Sequence, residues 1–224
     1  MASSTAPVSI AAGAVAVVGL AYCIKRASAD LDDRLAPMAG LVAAFIFAVQ
    51  MLNFPVAAGT SGHLLGGALA AILVGPAAGA MCVAVVLLIQ ALFADGGLTA
   101  LGLNITIMAL VTAFAGYGLF ALLKRFLGRS DGGLAIAAGI AAGISVPVAA
   151  LVFSLAFALG GVADIHVGTV IVAMVGTHVL IGIGEGIITG LTVAAVLRTR
   201  PDLVFGIKGR TRDLELRSGT LATG

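Results

Sequence analysis

Long apolar runs separated by short polar stretches dominate the pattern of this chain. Several runs approach or exceed the ~20 residues that an α-helix needs to cross a lipid bilayer, and none alternates apolar and polar residues as the strands of a membrane barrel do. The pattern predicts an all-α integral membrane protein with about seven transmembrane helices. The predicted segments lie at about residues 8–24, 36–52, 64–75, 76–93, 103–123, 133–160 and 170–197.

The third segment is the shortest and ends in VGPAAGA, residues 74–80. Gly75 and Pro76 predict either a tight turn between two helices or a kink within one long helix. A tilted or partly re-entrant third element also fits the pattern, because irregular backbone is tolerated at membrane depth where protein covers it. The number of crossings therefore depends on this turn.

The basic residues test this topology independently, because cytoplasmic loops of membrane proteins are enriched in Lys and Arg. With a turn at Gly75, all 12 basic residues fall on one side, which predicts an outside amino terminus, a cytoplasmic carboxyl terminus and an odd number of crossings. The chain then consists of one membrane domain, residues 1–205, and a short polar cytoplasmic tail, residues 206–224. The basic residues are Lys25, Arg26, Arg34, Lys124, Arg125, Arg129, Arg198, Arg200, Lys208, Arg210, Arg212 and Arg217.

The composition excludes several classes of function. Hydrophobic residues make up 61% of the chain and charged residues 10%, with a mean hydropathy of +1.19, whereas soluble domains have roughly 45–50% apolar and about 25% charged residues. The net charge is only +2 and no basic run is interleaved with aromatic residues, so no nucleic-acid partner is expected. No zinc-protease, P-loop or paired-cysteine motif occurs, which argues against an embedded ATPase or zinc enzyme.

Candidate chemistry begins with the histidines, of which the chain has 3. His63 ends the first predicted outer loop, beside Thr60 and Ser61. A neutral imidazole in this position can coordinate a borderline transition metal such as nickel or cobalt, or it can act as a structural hydrogen-bonding group. The residue pattern alone leaves both interpretations open.

The last apolar segment contains two further polar groups, His178 and Glu185. Their spacing puts them on one face of a helix, ~10.5 Å apart along its axis. A carboxylate at membrane depth is costly unless it is paired or neutral, so Glu185 is expected to face the bundle interior and to have a partner. The pair predicts either a structural hydrogen-bond network or a ligand path. Asn104 either lines the same outer cavity or caps a helix.

An enzymatic alternative comes from the tetrapeptide GTSG at residues 59–62. It fits the G-x-S-G pattern around the nucleophile of rhomboid intramembrane proteases, and His178 on a later helix is the corresponding candidate base for Ser61. Four positions that include two glycines carry little specificity in a glycine-rich chain. The intramembrane serine protease is therefore kept as an alternative function.

One long stretch carries a family resemblance. The sequence MLNFPVAAGTSGHLLGGALAAILVGPAAGA, followed by ADGGLTALGLNITIMAL and later by THVLIGIGEGIITG, resembles the CbiM/NikM family over roughly residues 7–205. Members are the substrate-capturing membrane (S) subunits of energy-coupling-factor ABC transporters for cobalt and nickel, and often supply cobalt for cobalamin biosynthesis. The resemblance implies seven membrane helices, location in the inner membrane of a prokaryote, no enzymatic activity, no resident cofactor, and Co(II) or Ni(II) as the transported substrate.

The resemblance also implies partners and ligands. The implied partners are an energy-coupling transmembrane subunit, ABC ATPase subunits and a small auxiliary membrane subunit, and the chain itself lies in the lipid bilayer. The donors are nitrogens, one from the histidine that matches His63 and the others from a chain start of the form Met-His-Ile-Pro-Asp-Gly. This chain begins Met-Ala-Ser-Ser-Thr, so the Met1 amine remains while the second-position imidazole is missing. A depleted ligand set is expected, and three explanations stay open: the start is misassigned or altered, the chain is a degenerate, non-binding transporter subunit, or the metal is held in another way. Thr60, Ser61, Asn104, His178 and Glu185 are carried over only as residues that line or support the cavity.

Overall fold

The computed structural model describes residues 5–30, 35–51, 53–55, 61–93, 98–162 and 165–208. Helices dominate these ranges, which confirms the predicted all-α class. The helices are α1 (Ala6–Asp30), α2 (Leu35–Gln50), α3 (Gly67–Val74), α4 (Pro76–Leu92), α5 (Leu101–Asn104), α6 (Thr112–Leu127), α7 (Asp131–Gly160) and α8 (Val167–Thr199). Two short strands, β1 (Asn53–Pro55) and β2 (Ser61–His63), pair antiparallel between α2 and α3.

The helix in the middle of the chain is continuous but irregular. A 3₁₀ turn, α5, a π-helical segment (Ile105–Val111) and α6 together form one helical run, Leu98–Leu127. Within this run the hydroxyl of Thr112 donates to the carbonyl oxygen of Met108 at 2.5 Å. Segments of π-helix are often found at functional sites, and this one ends beside the start of α3.

Four helical runs in the described part of the chain are long and apolar enough to cross a membrane. They are Ala6–Ala29, Leu98–Leu127, Asp131–Gly160 and Val167–Thr199. Helices α2 and α4 are apolar but shorter, with 16 and 17 residues. Helix α3 has only 8 residues, and every one of them is buried. Each predicted apolar segment overlaps one of these helices or helical runs in the described part of the chain.

The sequence VGPAAGA forms a turn and not a kink. Gly75 has a φ of +96°, a conformation that only glycine adopts readily, and Pro76 is the first residue of α4. Helix α4 then folds back onto α3, because a Cβ added at Gly79 would lie 2.6 Å from the backbone nitrogen of Ala71. The tight-turn alternative is therefore confirmed.

The basic residues at the ends of α6 and α8 share one end of the bundle with the α3–α4 turn. The ring of Phe205 lies against Gly75, and the ammonium of Lys124 donates to the carbonyl oxygen of Gly206 at 2.8 Å. Ile207 is also buried, at 7% exposure. The chain therefore packs on the bundle through residue 207.

The opposite end holds the start of α1 and the connection from α7 to α8. The backbone N–H of Thr5 donates to the carbonyl oxygen of Gly160 at 2.6 Å, which ties the beginning of α1 to the end of α7. Helix α8 starts there at Val167 and runs toward the basic end.

Helices α7 and α8 are in backbone contact along their length. A Cβ added at Gly139 would lie 2.8 Å from the carbonyl oxygen of Gly186, and one added at Gly186 would lie equally close to that of Gly139. Small residues allow this approach in membrane helices. The contact fixes the rotation of α8, and His178 and Glu185 are consequently on its buried face.

Candidate functional site

The backbone between the β-hairpin and α3 runs without helical structure along the buried face of α8. Leu64 and Leu65 pack with Ile181 of α8 in one apolar cluster. The carboxylate of Glu185 accepts hydrogen bonds from the backbone N–H groups of Leu65, at 2.6 Å, and of Gly66, at 2.9 Å. This segment is thus attached to α8 by both apolar contacts and hydrogen bonds.

The buried side chain of Glu185 has hydrogen-bond partners, as its depth in the bundle requires. Its side chain is only 3% exposed, and burying an ionisable group away from water is costly unless hydrogen bonds replace the lost hydration. Two consecutive backbone N–H groups supply those bonds. The sequence left open whether His178 and Glu185 form a structural hydrogen-bond network or a ligand path. The contacts of Glu185 are those of a structural hydrogen-bond network.

Gln50 completes the anchoring of the segment. It is the last residue of α2, has 0% exposure, and donates from Nε2 to the carbonyl oxygen of Leu65 at 2.7 Å. Both backbone polar groups of Leu65 are therefore bonded to side chains, which is how non-helical backbone is tolerated at membrane depth. Sequence analysis missed Gln50, although it is the only polar side chain in α2.

Two glycines let the segment enter α3. Gly66 has a φ of +74°, and a Cβ there would lie 2.8 Å from the side chain of Ile46. A Cβ at Gly67 would overlap the hydroxyl of Thr112 in the helix that follows the π-helical segment. The two glycines of HLLGG therefore allow the backbone to lie close to neighbouring side chains, and Gly66 also adopts a left-handed conformation.

The imidazole of His63 is half-buried at the end of β2. Its Nδ1 lies 2.9 Å from the carbonyl oxygen of Leu64. A carbonyl oxygen can only accept, so we infer that Nδ1 carries the proton and that the lone pair of the neutral ring is on Nε2.

The imidazole of His178 has the same arrangement deeper in the bundle. It is 6% exposed, and its Nδ1 lies 2.7 Å from the carbonyl oxygen of Met174. The same reasoning puts the lone pair on Nε2. Strand β2, which ends at His63, contacts α8, and the adjoining Leu64 packs with Ile181, about one helical turn from His178. The structure therefore brings these two predicted residues together.

The third histidine, His166, and the other predicted residues are placed differently. His166 is exposed and caps α8, where its Nδ1 accepts from the backbone N–H of Gly168 at 3.2 Å. Asn104 is half-buried at the end of α5, and among the described residues no hydrogen bond links it to His63, His178 or Glu185. Three predicted groups lie outside the described residues, namely Met1, Thr60 and the side chain of Ser61.

Comparison with known proteins gives the family. Residues 4–203 match the family model for CbiM, described as a cobalt uptake substrate-specific transmembrane region. The chain is 36% identical over 198 residues to the cobalt transport protein CbiM of Sorangium cellulosum, covering 85% of this chain and 86% of that protein. It is 41% identical over 192 residues to a proposed fused nickel transport protein, NikMN, of Archaeoglobus fulgidus, covering 85% of this chain but only 61% of that longer protein.

The fold is also known. A crystal structure described as a truncated transition metal transporter superposes with a TM-score of 0.80 and 29% sequence identity, covering 88% of this chain and 99% of that chain.

These comparisons and the apolar helices describe a multi-pass membrane component of cobalt or nickel transport. The family consists of transport components and not of enzymes, which leaves a protease based on Ser61 and His178 without support. The matched range includes His63, His178 and Glu185. The chain belongs to the CbiM family of substrate-specific transmembrane proteins for cobalt uptake.

Proposed function

We propose that this protein is the substrate-capturing membrane subunit of an energy-coupling-factor transporter that imports Co(II) or Ni(II). The observation that carries the proposal is the half-buried imidazole of His63, whose adjoining backbone is held inside the bundle by Glu185 and Gln50. Neutral imidazole nitrogen is a favoured donor for both ions. A hydrogen bond from the other ring nitrogen to a carbonyl oxygen, as His63 makes to Leu64, is typical of metal-binding histidines.

The amine of Met1 is the proposed second nitrogen donor. The described chain starts at Thr5, which is bonded to Gly160 at the end of the bundle where α8 begins. The four preceding residues can span at most ~14 Å when extended. His63 ends the strand that contacts α8, and His178 lies in the half of α8 nearer this end. Thr60 and Ser61 are proposed to support the loop, and Asn104 to line the cavity.

The proposed topology puts the amino terminus outside and the basic end of the bundle in the cytoplasm of a prokaryotic cell. The shared location of the helix ends that carry Lys25, Lys124 and Arg198 supports this orientation, because Lys and Arg are enriched on the cytoplasmic side. Separate ATPase subunits, acting through a transmembrane coupling subunit, supply the energy for transport, and a small auxiliary membrane subunit accompanies them. Imported cobalt serves cobalamin biosynthesis when Co(II) is the substrate.

The proposal is tested by isothermal titration of the purified protein with Co(II) and with Ni(II). His63→Ala is expected to weaken binding by about tenfold or more, because a direct donor is lost. His166→Ala is the matched control, since it removes an exposed imidazole that caps α8, and it is expected to leave affinity unchanged. An acetylated amino terminus tests the Met1 donor separately.

Two outcomes contradict the proposal. Equal affinity in the His63→Ala variant and the parent protein would exclude His63 as a ligand. Failure of the parent protein to bind either ion, with the partner subunits still co-purifying, would instead identify a non-binding transporter subunit.

A further inference from the structure

We propose that His178 is a second imidazole ligand that binds the same divalent transition metal ion as His63 and that both rings use Nε2. The inference rests on the proposed function and adds a donor from α8 to the site in the loop. The ligand class is a borderline divalent ion with affinity for neutral imidazole, which includes Co(II) and Ni(II).

The first argument is the register between the loop and α8. The step from His63 to Gly66 can cover up to ~10 Å, and the step from His178 to Glu185 covers ~10.5 Å along a helix. Glu185 is bonded to the Gly66 end of the loop segment, and Ile181 packs with its middle. His63 and His178 therefore lie at about the same position along the axis of α8.

The second argument is the shared orientation of the rings. Each imidazole is bonded through Nδ1 to a main-chain carbonyl oxygen, Leu64 for His63 and Met174 for His178. Such a bond fixes the tautomer and the ring plane of a metal-binding histidine and increases the basicity of the opposite nitrogen. Both rings therefore have their lone pair on Nε2, and each can bind a metal ion through that nitrogen.

The third argument is the depth of His178. Ionisable residues in membrane-spanning helices are rare, face the bundle interior and mark ion pathways. The bond to Met174 alone does not explain a histidine at this depth. The carbonyl of Met174 lies within a continuous helix, so it does not need a side chain to satisfy it. Within the described residues, the bond to Met174 is the only hydrogen bond of the His178 side chain, so its Nε2 is available as a donor.

The decisive measurement is X-ray absorption of the Ni(II)-loaded protein, in which multiple scattering counts the imidazoles bound to the metal. Two imidazoles are expected in the parent protein and one in each of the variants His63→Ala and His178→Asn. The asparagine retains an amide that can donate to the carbonyl of Met174 while removing Nε2. Titration is expected to show about a tenfold or larger loss of affinity in each variant. His166→Ala is the control and is expected to keep both imidazoles.

The outcomes separate this inference from the proposed function. A single imidazole in the parent protein overturns the inference, even if His178→Asn fails to fold. An unchanged imidazole count and affinity in His178→Asn, together with loss of binding in His63→Ala, also overturns it and leaves the proposed function standing. Absence of Ni(II) and Co(II) binding by the parent protein overturns both.

Discussion

Leu65 shows how single residues hold the candidate site in place. Its N–H donates to Glu185 of α8, and its carbonyl oxygen accepts from Gln50 of α2, so one residue of irregular backbone is bonded to two helices. The neighbouring backbone belongs to His63 and Leu64. The position of the His63 ring therefore depends on polar side chains that do not themselves need to touch the metal.

Replacement of Gln50 by leucine tests this dependence. Gln50→Leu leaves the carbonyl of Leu65 without its side-chain donor, and an unsatisfied buried polar group costs about 1–3 kcal/mol. We expect the free energy of unfolding in detergent to fall by that amount and metal affinity to weaken as the His63 loop shifts. Thermal or denaturant unfolding and isothermal titration measure the two effects.

The matched control is Gln90→Leu in α4. Gln90 is also buried, at 4% exposure, but its Nε2 has no hydrogen-bond partner in the described part of the chain. We therefore expect this variant to be neutral or stabilising. Equal losses of stability in the two variants would show that the bond from Gln50 to Leu65 has no special role.

At the scale of elements, the backbone contact between α7 and α8 determines which face of α8 is buried. The glycines that allow this contact are Gly139 and Gly143 on α7 and Gly182 and Gly186 on α8. Glu185 and Gly186 are consecutive, so any change in the separation of the two helices moves the carboxylate that holds the loop. The helix pair and the candidate site are therefore mechanically linked.

Two glycines of α8 provide a direct test of this link. Gly186→Ala introduces a Cβ 2.8 Å from the backbone oxygen of Gly139, where no flexible side chain can move aside, so the helices must separate. We expect it to lower the melting temperature and to weaken Ni(II) binding. Gly184→Ala adds a Cβ with no atom within 4 Å, and alanine improves helix propensity by roughly 0.5–1 kcal/mol, so it should be neutral or stabilising. The same melting temperature and affinity in both variants would contradict the link.

At the scale of the whole molecule, the two ends of the bundle have different chemistry. One end has basic residues, the α3–α4 turn and the packed residues 201–207, tied together by Lys124 and Phe205. The other end holds the start of α1 and the start of α8. Strand β2 and its adjoining segment contact the buried face of α8, and α3 continues from them to the basic end.

The proposed orientation is tested by labelling with a membrane-impermeant maleimide. Both native cysteines, Cys23 and Cys82, are buried and can be replaced by alanine. Ser130→Cys, which marks the basic end, is expected to react only from the cytoplasmic side, and Thr169→Cys only from the outside. Labelling of both positions from the same side would contradict the topology, and labelling in the reverse order would contradict the orientation.

The sequence by itself determined the elements, because apolar runs and turn residues act locally. In the described part of the chain, helices lie where the hydrophobic pattern predicts apolar segments, the chain reverses at Gly75 and Pro76, and the motif around His63 indicated the family that the comparisons confirm. The expected nitrogen ligands, with Met1 among them, stay predictions.

Only the tertiary structure decided what the polar residues contact. The N–H of Leu65 and the carboxylate of Glu185 are 120 residues apart in the chain, and Gln50 reaches the same segment from another helix. Sequence reasoning predicted that Glu185 needs a partner but could not identify it as backbone, since the partner depends on how α2, α8 and the loop pack together. The position of His63 beside the buried face of α8 has the same origin, because the rotation of α8 is set by its glycine contacts with α7.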